Sequence, residues 1–119
     1  TDRLYYTDAY QTEFDADVLG GNYTGHHGNG TDTLVRLPDS RLVHPVLTGV
    51  NLDALIGKGS LYKTGPLKDS AQAVLVGAIP DQPAEPVAWV NTHGPRRAKV
   101  FYTSLGHEGD FAQPEFRRL

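Results

Sequence analysis

Ala73-Val74-Leu75-Val76-Gly77-Ala78-Ile79 is a run of apolar residues closed by Pro80, and its reading decides the fold. The run is too short for an ordinary helix, and its β-branched side chains favour the extended backbone of a buried strand. After the proline-rich turn Pro80 to Pro86, Val87-Ala88-Trp89-Val90 opens a second apolar stretch. The loop Thr92-His93-Gly94-Pro95-Arg96-Arg97 then leads into Ala98-Lys99-Val100-Phe101-Tyr102-Thr103-Ser104-Leu105. These runs and turns predict neighbouring sheet strands over 73–79, 87–91 and 98–105, with Trp89 and Phe101 buried.

Outward from this centre the signals weaken. Thr33-Leu34-Val35-Arg36-Leu37 alternates and ends at Pro38, and Ser60-Leu61-Tyr62-Lys63-Thr64 lies between Gly59 and Gly65. Both read as strands. Phe14 to Leu19 reads as one or two helical turns closed by Gly20-Gly21. At the other end Gly106 interrupts the last strand, and Phe111 to Leu119 has the pattern of a helix start, with Pro114 in the first turn and Glu115 at the positive end. Periodicity alone therefore gives a mixed sheet with few helices.

With 119 residues, 39% hydrophobic and 21% charged, there is room for one domain and one core. The net charge of −3 is spread along the chain, which leaves no concentrated basic surface for nucleic acid. No apolar run approaches the roughly 18 residues of a membrane helix, and Thr1 to Tyr10 lacks the charged-then-apolar pattern of a signal. With no cysteine there are no disulfides, thiolate metal sites or thiol nucleophiles. The start at Thr1 and the lack of methionine read as the mark of a fragment, and the compartment, cytoplasmic or exported, stays open.

Four segments carry a family likeness. They are Glu13-Phe14-Asp15-Ala16-Asp17-Val18-Leu19-Gly20-Gly21-Asn22-Tyr23 with Gly25-His26-His27; His44-Pro45-Val46-Leu47-Thr48-Gly49-Val50; Pro86-Val87-Ala88-Trp89; and Val100-Phe101-Tyr102-Thr103-Ser104-Leu105-Gly106-His107 with Pro114-Glu115-Phe116-Arg117-Arg118-Leu119. Over residues 13–119 the chain resembles the carboxy-terminal part of ThuA-like (trehalose-utilisation) domains, relatives of class I glutamine amidotransferases that lack their cysteine. The resemblance implies an α/β fold, a flavodoxin-like three-layer sandwich left incomplete because its amino-terminal βαβ units are missing. It also implies an association with the metabolism of trehalose or a related sugar or keto-sugar, and a ligand site at the carboxyl edge of the sheet. The expected partners are a small carbohydrate and either a second copy of the chain or the remaining part of the parent domain.

The candidate site residues follow from the same segments. Gly25-His26-His27-Gly28-Asn29-Gly30 places two imidazoles in a glycine-rich loop, read either as ligand-facing or as a solvated connection. His107 follows a strand through a single glycine and, by its likeness in position to the late histidine of amidotransferases, is a candidate for acid–base chemistry with His26 or His27 in one crevice. A metal is left open among magnesium, zinc and none. Asn22, Tyr23, Lys63 and Glu108 are the candidate substrate-binding residues. Glu108 and Asp110 either orient His107 or cap the next helix, and Ser104 lacks the elbow of a nucleophile. His44 reads as a turn former, His93 as solvent-facing, and Arg96 and Arg97 as solvated charges. Gly106, between strand and helix, is expected to tolerate valine less well than Gly30. Two functions compete: an enzyme using histidine acid–base or metal-assisted chemistry on a sugar, and a non-catalytic carbohydrate-binding or assembly domain.

Overall fold

The loops between the central strands are too short for anything but hairpins. In the computed structural model, which describes residues 15–28, 30–38 and 43–119, the apolar runs form three consecutive strands: β5 (Gln72–Ala78), β6 (Glu85–His93) and β7 (Ala98–Thr103). Residues 79–84 join the first two, and the turn Gly94-Pro95-Arg96-Arg97, with the Arg97 N–H bonded to the Gly94 carbonyl at 3.0 Å, joins the last two. A parallel pair needs a crossover of a dozen or more residues, so both pairs are antiparallel.

Four shorter strands precede them: β1 (Gly25–His26), β2 (Thr33–Arg36), β3 (Ile56–Gly57) and β4 (Tyr62–Lys63). The main sheet has the order β3-β2-β5-β6-β7, antiparallel at every junction, while β1 and β4 form a separate antiparallel ribbon. The only α-helix among the described residues, α1 (Pro114–Arg118), is five residues long. The flavodoxin-like α/β sandwich implied by the family resemblance is therefore not what the chain forms. Short links fold β5, β6 and β7 back on one another, and no described helix is long enough to cover a sheet face. The molecule is a mainly antiparallel, curled sheet with few helices, closer to what periodicity alone indicates.

Thr33 and Val35 face inward and Leu34 and Arg36 outward, the alternation of a half-buried strand. On β5 the pairing register shifts on both sides of Leu75. This bulge lets the consecutive residues Val74 and Leu75 both be buried. They meet Val87 and Ala88 of β6, Val35 of β2 and Leu61. The segment between β2 and β3 makes two 3-10 turns, Pro45–Leu47 and Leu52–Ala54, which bring Leu47 and Leu55 onto the same cluster. His44 starts the first of them, its Nδ1 accepting the Val46 N–H at 3.1 Å.

Trp89 is buried as expected, but Phe101 is 39% exposed. Among the described strands β7 pairs only with β6, so its outer flank lacks the cover a central strand would have. The helical turn expected over 14–19 is present in its described part as a single wide π turn, Asp15–Leu19, and Phe14 lies outside the described residues. At the carboxyl end the helix has Pro114 in its first turn, as its pattern indicates, and runs only to Arg118.

Candidate functional site

A cavity of about 670 Å³ opens where the loop after β3 meets the chain leaving β7. That volume falls within the range of small-molecule sites. Its wall includes Gly57, Lys58, Gly59, Leu61 and Tyr62 on one side, Ser104, Leu105, Gly106 and His107 on the other, with Thr33, Val87 and Asp110 between them. Backbone is prominent because four of the lining residues are glycine.

Asp110 holds the two sides together. Its side chain is buried, with Oδ1 accepting the Lys58 N–H at 2.7 Å and Oδ2 accepting the N–H groups of Gly106 and His107 at 2.9 and 3.0 Å. Three charge-assisted bonds to one carboxylate fix the loop before β4 against the loop after β7. The residue thus neither caps α1, whose cap position is Gln113, nor bonds the imidazole of His107. Gln113 adds a second tie between the segments, accepting the Ile56 N–H at 3.0 Å and donating to the Ile56 carbonyl at 2.7 Å. Gly106 has a φ of 131°, a region that side-chain-bearing residues rarely occupy.

The hydrogen bonds of the histidines decide their tautomers. His107 Nδ1 accepts the Gly109 N–H at 3.1 Å, so in the neutral ring the hydrogen sits on Nε2. His26 is the reverse: its Nδ1 lies 2.7 Å from the carbonyl of His27, which only accepts, so Nδ1 carries hydrogen. His107 therefore offers a donor at Nε2, whereas neutral His26 keeps a lone pair there. The Gly59 backbone lies directly against His107, since a Cβ on Gly59 would lie 2.9 Å from the His107 Cβ.

Of the sequence candidates, His107 lines this cavity, while His26, His27, Asn22, Tyr23, Lys63 and Glu108 are not part of its wall. His26 stands beyond the rim, its ring 6.4 Å from that of Tyr62, and Tyr23 packs edge-on against Tyr62 at 4.9 Å. The His27 N–H donates to the Leu61 carbonyl, and the Lys63 carbonyl accepts the N–H and hydroxyl of Thr24. Asn22 Oδ1 is buried without a protein partner. Asn29 lies outside the described residues. The site is not at the carboxyl edge of a parallel sheet, because the sheet is antiparallel.

Thr33 and Lys58 escape the sequence reading, and Ser104, set aside there as a nucleophile, lines the cavity. Thr33 is 2% exposed and its Oγ1 has no hydrogen-bond partner, an expensive arrangement for a hydroxyl in the wall of a cavity. Lys58 bonds Asp32 at 2.8 Å on the surface. The alternation Gly57-Lys58-Gly59-Ser60 was the available signal for the first wall; nothing local marks Thr33. Among the described residues no group of three His, Cys, Asp or Glu side chains converges to hold a metal ion, and no helix is long and apolar enough to cross a membrane. No family model, curated protein or solved structure matches this chain.

Proposed function

We propose that the chain is a carbohydrate-binding domain that takes a small neutral sugar into the cavity beside His107 and leaves it chemically unchanged. The sugar class comes from the resemblance to ThuA-like proteins; the flavodoxin-like architecture that came with it plays no part. The observation that carries the reading is the arrangement of His107. Its Nδ1 is occupied by the Gly109 N–H, and the remaining nitrogen is a donor. A neutral imidazole N–H binds a hydroxyl oxygen well but is a poor proton source, and without a lone pair Nε2 is not a base.

The rest of the wall suits the same guest. Sugar hydroxyls both donate and accept, and Ser104 brings a hydroxyl of the same kind. Tyr62 at the rim, 37% exposed, offers a ring face to the apolar side of a pyranose.

Titration calorimetry with glucose and trehalose tests this, with the sugar recovered and inspected by proton NMR. Saturable binding is expected, weakened about tenfold by His107→Ala, which corresponds to about 1.4 kcal/mol. The recovered sugar is expected unaltered. No binding of either sugar would remove the reading, and a chemically changed sugar would replace it with an enzyme.

A further inference from the structure

A second cavity, of about 470 Å³, has His44 in its wall and none of the residues that line the first. Its floor is set by strand pairing. Val90 of β6 stands opposite Phe101 of β7, and Thr92 opposite Lys99, so these four side chains share one face of the hairpin. Val46, from the 3-10 turn Pro45–Leu47, also lines the cavity and adds a further apolar side chain. Phe101, expected in the core, is instead partly open here.

The charged lining is of one sign. Arg97 and Lys99 both border the cavity, and among the described residues no Asp or Glu does. Neither cation makes a salt bridge among the described residues. His44 supplies a third donor: its Nδ1 accepts the Val46 N–H, so neutral His44 carries its hydrogen on Nε2. Residues 93–99 hold three cations and no acid in a chain whose net charge is −3, so this end of the hairpin runs against the overall sign.

We propose that this cavity binds a small organic anion, with an apolar body of ring size on Val90 and Phe101 and its acid group held by Arg97, Lys99 and His44. The two halves of the site make separate demands. A hydrophilic anion would leave Phe101 uncovered, and a neutral apolar ligand would leave the cations unanswered. The proposal is independent of the sugar site, with which it shares no lining residue.

The test is a titration of the isotope-labelled chain, followed by backbone amide NMR, with benzoate, benzamide and inorganic phosphate as probes. Benzoate is expected to shift the amide signals of Val90, Lys99 and Phe101 together and to saturate, with benzamide at least about tenfold weaker and phosphate leaving Val90 and Phe101 unmoved. Lys99→Gln should weaken benzoate about tenfold without changing benzamide. Should that variant fail to fold, Arg97→Gly serves instead, because Arg97 has a φ of 53° that glycine adopts without strain. Equal affinity for benzamide, equal affinity for phosphate, no localised shift with benzoate, or full benzoate affinity in the folded variant would each overturn the proposal.

Discussion

Asp110 is 1% exposed and accepts three backbone N–H groups, so its removal strands donors on both walls of the cavity beside His107. Asp110→Ala is expected to cost about 2 to 4 kcal/mol, read from the denaturant midpoint, whereas the exposed neighbour Glu108→Ala should stay within about 0.5 kcal/mol. Equal losses would deny Asp110 its place as the tie. Gly77 is the tightest strand position: a Cβ there would lie 2.6 Å from Thr33 Cγ2 and 2.7 Å from Val87 Cγ1. Gly77→Ala should destabilise by about 1 to 3 kcal/mol, and an unchanged melting temperature would contradict that packing. At Gly106 it is the unusual backbone angle, a φ of 131°, and not close packing that disfavours a side chain. A Cβ there meets nothing nearer than Phe116 Cζ at 3.7 Å, and what sets Gly106 apart from the open Gly30 is the N–H it gives to Asp110.

At the scale of elements, β6 holds the π turn Asp15–Leu19 through three alternate residues. Trp89 Nε1–H donates to the Leu19 carbonyl at 2.6 Å, Asn91 Nδ2–H to the Val18 carbonyl at 2.9 Å, and His93 Nδ1 lies 2.8 Å from the Asp17 carbonyl. Side chains two apart on a strand meet successive carbonyls of the turn. Asn91→Ala should cost about 1 to 3 kcal/mol and raise the acrylamide quenching of Trp89, the only tryptophan, because the turn covering it loosens. Quenching equal to that of the parent would mean that the turn is held by something else. The strands themselves were legible from local signals, since apolar runs bounded by Pro80 and Gly94-Pro95 leave little alternative. The row of contacts was not. It joins residues seventy or more positions apart, and His93 looks like any exposed loop histidine in the sequence.

For the whole molecule, the family resemblance misleads on architecture where link length does not. The connections of β5, β6 and β7 require hairpins, and that constraint is written plainly in Pro80 to Pro86 and in the Gly94 turn. The cavity is harder to read, because its wall gathers Thr33, the Gly57 to Tyr62 loop, Val87 and the Ser104 to His107 exit, pieces that meet only once the sheet has curled. His107 was visible as a histidine after a strand; the bond that sets its chemistry, from the Gly109 N–H, was not. In the proposed reading that bond separates a sugar binder from an acid–base enzyme, and the most direct measurement of it is a long-range nitrogen NMR spectrum of the imidazoles at about pH 8.5, above the ordinary imidazole range. His107 is expected with its hydrogen on Nε2 and His26 with its hydrogen on Nδ1, both unchanged in tautomer when glucose or trehalose is added to saturation. A His107 ring with hydrogen on Nδ1 and a free Nε2 facing the sugar would contradict the binding role and return the residue to catalysis.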